Sequence, residues 1–256
     1  MLKFFDCNAS IGEWKHPRFG AIATADELEQ VLDYLEVECA IVFHAHAQEG
    51  HAPLGNAMLM RELAGHPRLL PSWVLLSHYT GEMPEPKVLV KEMTDRGVRL
   101  ARLFPGASGH GFSLEPWCAD KLLSELAIHR IPVMIDFTLG RRDFPDWKVI
   151  HSLCQRHPAL PIILTGAGIG RASRSFFPML QVCPNLYIEL SRYTSFRCVD
   201  GICERYGARR LIYGSGLPLV APGVAMTTVT HALIDDEEKA QIASANLERL
   251  LSEVVV

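Results

Sequence analysis

The chain has 256 residues, 48% of them hydrophobic, and a formal net charge of -4, a composition ordinary for a globular protein. That balance excludes a basic nucleic-acid footprint, and no apolar run reaches the roughly 18 residues a membrane span needs. The length matches one α/β barrel of about 250 residues, enough to bury a full core without disulfides or a structural metal.

The N-terminus lacks the charged, apolar and cleavage regions of a signal peptide, so a cytoplasmic protein is expected. The seven cysteines, Cys7, Cys39, Cys118, Cys154, Cys183, Cys198 and Cys203, form no CxxC pair. They read as buried free thiols in a reducing compartment.

The first strand, Leu2 to Asp6, runs into the turn Cys7-Asn8-Ala9-Ser10-Ile11-Gly12. With a period of two, Asp6, Asn8 and Ser10 are expected on one side and Cys7, Ala9 and Ile11 on the other. Thr24-Ala25-Asp26-Glu27 is a capping box opening a helix to about Glu38. Cys39 to Phe43 is a second strand ending in His44-Ala45-His46. A helix from about Leu54 to Ala64, a strand from Leu69 to Ser77, a helix from Pro86 to Arg96 and a strand from Val98 to Phe104 follow.

The second half keeps the rhythm. Ser113 is expected to cap a helix reaching about His129, before a strand from Ile131 to Asp136. Helix Asp146 to His157, strand Leu160 to Thr165, a helix ending near Cys183-Pro184 and strand Leu186 to Leu190 come next. Helix Ser195 to Tyr206, strand Arg210 to Tyr213 and a closing helix from Asp235 complete the chain. Eight apolar runs alternating with helices imply a parallel sheet closed into a single (β/α)8 TIM barrel, one domain over residues 1–256. An open doubly wound sheet is the alternative, although no GxGxxG follows the first strand. His66 and His157, each before a proline, read as structural, and the four tryptophans as packing residues.

In a barrel, chemistry sits at the C-terminal ends of the strands. The tips offer Asp6, Asn8 and Ser10; His44 and His46; His78; Arg102; Asp136; Thr165; Glu189, Ser191 and Arg192; and Ser215. The opening Asp6-Cys7-Asn8-Ala9-Ser10 resembles the Asp-x-His-x-His motif of the amidohydrolase superfamily, and more narrowly its amidohydrolase-2 branch. The likeness continues through Ile131 to Asp136, Leu160 to Gly168, Tyr187 to Ser191, Leu211 to Pro218 and Ser244 to Leu251.

The resemblance implies a (β/α)8 barrel and hydrolase or decarboxylase chemistry on a divalent metal. Yet the usual ligand and proton-shuttle positions carry Asn8, Ser10, Asp136, Gly166 and Gly216. Without imidazoles a metal-bound hydroxide is not expected, so no cofactor is expected.

Three readings stand. The first is a metal-free hydrolase or decarboxylase for a small anionic substrate. Asp6, Asp136 and His44 or His46 would move protons, Arg102 would anchor the anion, and Asn8, Ser10, Thr165, Glu189 and Ser215 would line the pocket. The second is a non-catalytic ligand- or partner-binding member. The third keeps a divalent metal such as Zn on relocated ligands His44, His46, Asp6 and Asp136.

Ser215 is weak as a nucleophile because Gly-Ser-Gly is not the G-x-S-x-G elbow. The Arg141-Arg142-Asp143 loop reads as solvated. Partners reduce to a small molecule and a second copy of the chain as a homodimer, the default for soluble enzymes.

Overall fold

Apolar runs too short to be helices pair in chain order, each parallel to the next. The computed structural model describes residues 2–15, 19–106, 109–136, 146–166 and 173–255. Its strands are β1 (Phe4–Ile11), β2 (Val37–His44), β3 (Leu69–Pro71), β4 (Trp73–Val74), β5 (Ala101–Leu103), β6 (Val133–Asp136), β7 (Ile162–Thr165), β8 (Leu186–Glu189) and β9 (Leu211–Ile212).

β1 to β3 form one parallel set and β4 to β9 another. The expected third strand is therefore split: β3 pairs with β2 and β4 with β5. Ser72 sits at the break, with its N–H and its hydroxyl both donating to Val42 O at 2.8 and 3.0 Å. Asn56 secures the second half, donating to Val74 O and accepting from Val74 N, both at 2.9 Å.

The ring closes between β1 and the segment after β9. Cys7 N donates to Tyr213 O, Ser10 N to Leu217 O and Gly216 N to Asn8 O, at 3.1, 3.0 and 2.9 Å. This seam is irregular rather than a full ladder, yet it makes the molecule a (β/α)8 barrel and disposes of the open-sheet alternative.

Helices follow most strands where expected. Thr24 and Glu27 form the reciprocal capping box of helix Ala25–Tyr34. Asp146 caps helix Trp147–Arg156 through Lys148 N. Ser113 is not a helix cap: its hydroxyl accepts from Glu115 N at 3.1 Å, and the helix starts at Pro116. Helix Gly223–Thr230 was not anticipated. It begins on glycine and is rich in threonine and valine, all poor helix formers.

The interior is layered. Phe5, Cys7, Ile41, Leu100, Met134, Ile163, Tyr187 and Ile212 form an apolar cluster with Leu247, Leu250 and Leu251 of the closing helix. Two residues further along the strands, the same period places Phe43, Arg102, Asp136, Thr165, Glu189 and Gly214 in a layer nearer the mouth.

β1 does not alternate as expected. Its register against β2 shifts between Asp6 and Ala9, so that three residues advance against two. The bulge turns the face over. Cys7 stays in the interior cluster with Phe5, whereas Ala9 and Ile11 join the core between barrel and helices.

All seven cysteines are free thiols, five of them buried. Trp14 and Trp73 are buried, but Trp117 is 72% exposed and does not pack in the core. His66 and His157 meet Glu29 and Asp120, each at 3.0 Å, as structural partners. No helix among the described residues is long and apolar enough to cross a membrane.

Candidate active site

A cavity at the strand tips is lined by Asn8, Ser10, Phe43, Gln48, Arg102, Asp136, Ser191 and Arg192, with Gly216, Leu217, Leu219 and Val220 forming one wall. Its free volume is about 20 Å³, room for about one water molecule.

Arg102 is the central charge. It is 2% exposed, and its Nη2 donates to Asp136 Oδ2 at 2.7 Å. Its guanidinium carbon lies 4.1 Å from the Phe43 ring centroid and 5.1 Å from that of Phe104, the contacts a weakly hydrated planar cation favours. Among the described residues its Nε has no hydrogen-bond partner. A buried guanidinium is tolerable only beside a carboxylate, and the neighbouring strand supplies Asp136. Thr165 Oγ1 is likewise buried without a partner among the described residues.

Glu189 is buried at the end of β8. Its Oε1 accepts from Ser191 N at 2.6 Å and its Oε2 from Ser191 Oγ at 2.9 Å. Asn8 Nδ2 reaches Ser191 Oγ at 3.5 Å from the other side. Burial pushes the Glu189 carboxyl up to about 7, against the lowering effect of the Ser191 hydrogen bonds and of Arg102. Gly214 makes the room: a Cβ there would lie 2.2 Å from Glu189 Oε1 and 2.9 Å from the Asn8 Cβ.

Asp6 is buried but does not line the cavity. Beyond the β1 bulge it parts from Asn8 and Ser10 and faces the seam instead. Its Oδ1 accepts from Asn8 N and Ser215 N, both at 2.8 Å, and its Oδ2 from Ser215 Oγ at 2.5 Å. Burial raises its pKa although these bonds oppose the rise. Ser215, whose Oγ also accepts from Leu217 N at 3.0 Å, belongs to the same seam. Ser10 does reach the cavity wall, with its hydroxyl donating to Leu217 O at 3.1 Å.

The two histidines do not share a strand face. β2 ends at His44, whose Nδ1 accepts from His46 N at 3.1 Å and so caps helix Ala45–Glu49. His46 lies on that helix. The His44 ring fills the space over Gly12, where a Cβ would lie 2.5 Å from Cε1. Burial, then the neighbouring His46, lower its pKa. Neither imidazole lines the cavity.

The relocated ligand set is not assembled. Among the described residues, the one group of three or more His, Cys, Asp and Glu with ligand atoms within 4.8 Å of one another is Asp26, Glu29 and His66, which is partly exposed and lines no part of the cavity. At the mouth, Gly216 has φ +71°, and a Cβ there would lie 2.9 Å from Val220 Cγ2 and 3.0 Å from Ser191 Cβ. An aspartate is absent from this position, and the space for one is filled.

The sequence matches the amidohydrolase-2 family, described as amidohydrolase, over residues 15–252. The chain belongs to the amidohydrolase family. A search of curated protein sequences finds no match. Solved structures of similar fold cover almost all of this amidohydrolase. A TIM-barrel protein of Bordetella bronchiseptica superposes with a TM-score of 0.74 at 17% identity, covering 98% of this chain and 99% of its own. A 5-carboxyvanillate decarboxylase of Sphingomonas paucimobilis gives 0.73 at 12%, covering 98% and 99%. A dihydroxybenzoic acid decarboxylase of Polaromonas, with bound manganese and the inhibitor 2-nitroresorcinol, gives 0.71 at 14%, covering 98% and 97%. At such identities these likenesses establish the fold.

Asn8, Ser10, Arg102 and Asp136 meet around one cavity in this amidohydrolase, while Asp6, Ser215, His44 and His46 stand outside it. Thr165 and Glu189 are buried beside it without lining it. Gln48, Ser191 and Arg192 line it without having been singled out as site residues. Gln48 rides the helix that starts where a strand was expected to continue, so strand-tip reading misses it. Ser191 and Arg192 stand at the tip of β8, and only the direction of the side chains separates them from Glu189. The Arg141-Arg142-Asp143 loop lies outside the described residues.

Proposed function

We propose that this amidohydrolase is an enzyme, a hydrolase or decarboxylase acting on a small anionic molecule at the C-terminal mouth of the barrel, and that it works without the divalent metal of its family. The observation that carries the reading is Arg102. A buried guanidinium lines the cavity, fixed by Asp136 and two aromatic rings, with Nε left over among the described residues. It supplies a fixed positive charge where the resemblance places a metal's ligands.

The donor set argues the same way. Asn8 and Ser10 offer an amide and a hydroxyl, Gly166 and Gly216 offer no side chain, and the Asp136 carboxylate already holds a cation. Neutral oxygens around a guanidinium–carboxylate pair do not fit a divalent ion, which would face like charge at short range. Arg102 binds and orients a carboxylate or developing oxyanion through charge-assisted bonds, and Asn8 and Ser10 add neutral contacts. The decarboxylases of similar fold are named for aromatic acids, which makes anionic aromatics the first substrates to try.

Elemental analysis of the purified protein comes first, then a thermal-shift panel of aromatic carboxylates and carboxylated lactones, with turnover assayed on hits in a chelator. The expected result is substoichiometric metal, stabilisation by at least one carboxylate, and chelator-resistant turnover. About one equivalent of Zn or Mn, removed together with activity, overturns the metal-free reading. Stabilisation without turnover replaces catalysis by ligand binding.

A further inference from the structure

A hydrolase that has no metal-bound hydroxide needs another nucleophile. The cavity offers two serine hydroxyls, of Ser10 and Ser191. Ser10 donates to a backbone carbonyl, Leu217 O, which cannot take its proton. Ser191 donates to a carboxylate, which can. Ser215 also faces a carboxylate, but outside the cavity and with its lone pair engaged by Leu217 N.

We propose that Ser191 is the nucleophile of an acyl-transfer reaction and that Glu189 is its general base. The proposal rests on the metal-free reading and narrows it to hydrolysis of an ester or lactone through an acyl-enzyme.

The geometry is built for this in three respects. Ser191 Oγ donates to Glu189 Oε2 at 2.9 Å, so the base is already within reach of the proton it takes. Ser191 N holds the other carboxylate oxygen at 2.6 Å and fixes its orientation. The segment after the neighbouring strand β9 gives up two side chains at this point. Gly214 vacates the volume that Glu189 fills, and Gly216 keeps clear of the Ser191 Cβ. A purely local turn at the end of β8 would not require glycine beyond the neighbouring strand.

Ser191 Oγ bonds to the carbonyl carbon as its proton passes to Glu189 Oε2, and the carbonyl π pair moves onto oxygen. Arg102 and Asn8 Nδ2, donors that line the same cavity, stabilise that oxyanion. Its collapse breaks the bond to the leaving oxygen, which takes the proton from Glu189. A water then gives a proton to Glu189 and its oxygen to the acyl carbon, and the proton returns to Ser191 as the acid leaves. The raised Glu189 carboxyl, about 7, suits a group that must both accept and release a proton near neutrality.

Methanesulfonyl fluoride, small enough for a narrow cavity, tests this without a known substrate. The full chain is treated across a range of pH and the adduct located by peptide mass spectrometry. The expected result is one methanesulfonyl group on Ser191, with a rate that rises through an ionisation near 7. Glu189→Gln should slow labelling by about 100-fold or more, with the circular dichroism spectrum unchanged, and Ser191→Ala should abolish it.

No adduct, an adduct on Ser10 or Ser215 instead, or a rate indifferent to pH or to Glu189→Gln overturns the proposal. Should Glu189→Gln fail to fold, the wild-type pH profile still decides. Metal content is read separately: a metal-free protein without label sinks this proposal alone, and a metal-loaded one without label sinks both.

Discussion

Two serine–carboxylate pairs in this barrel use the same bonds and end in different places. At the seam, Asp6 accepts from both the N–H and the hydroxyl of Ser215; at the tip of β8, Glu189 accepts from both the N–H and the hydroxyl of Ser191. Asp6 takes a further backbone donor, Asn8 N, and Ser215 takes one from Leu217. That pair is saturated and seals the ring. Ser191 has only a long contact from Asn8 Nδ2 and opens onto the cavity. Pairing alone therefore does not mark a catalytic serine; what the remaining lone pair faces does.

Arg102 is the element both pairs share, since its charge favours the ionised form of Asp6 and of Glu189. Arg102→Ala should have the largest effect on stability, about 3–5 kcal/mol in urea denaturation, because it breaks the buried ion pair with Asp136 and removes the cation packed on Phe43 and Phe104. Asp6→Ala comes next, at about 3 kcal/mol, since it strands two backbone N–H groups and a hydroxyl at the closing seam. An equal loss in Glu189→Ala would erase the distinction between a sealing and a working pair.

The pH dependence sharpens it further. Folding raises the Glu189 carboxyl from 4.5 to about 7, so the folded state holds that proton more tightly. Its contribution is complete below about pH 4.5 and is lost as pH rises through about 7, amounting to at most about 3 kcal/mol. Glu189→Gln, permanently neutral, should flatten that part of the thermal-midpoint profile. A wild-type profile rising over the same window would contradict the placement of Glu189.

Gly214→Ala should cost about 2 kcal/mol by forcing Glu189 and Asn8 aside, with sulfonyl labelling of Ser191 falling in parallel. Smallest are the two hydroxyl deletions. Ser215→Ala and Ser191→Ala should each cost about 1 kcal/mol in chemical denaturation, yet only the second should remove the labelling site.

Much of this was legible in the sequence. The alternation of apolar runs and capped helices gives the barrel, and the arginine inside an apolar strand announces a buried charge whose partner turns out to be Asp136. The β1 bulge was not legible. Strict alternation puts Asp6 beside Asn8 and Ser10, and one extra residue sends it to the seam instead. His46 was misplaced because His-Ala-His reads as strand by period, whereas the His44 imidazole caps a helix at that point. The link from Glu189 to Ser191 was hidden for the opposite reason. Residues two apart on a strand should point the same way without touching, and only where the strand ends can the second turn back onto the first.

Gly216 limits which side chains this mouth can acquire. Its backbone sits at positive φ, and Val220 with Ser191 has closed over the place where a side chain would go. An aspartate placed there by a single mutation would collide with Val220 and Ser191, so a carboxylate at this position requires both neighbours to move or shrink first. Putting a carboxylate at this point of the mouth is therefore a change of several residues together, each of little use until the others are in place.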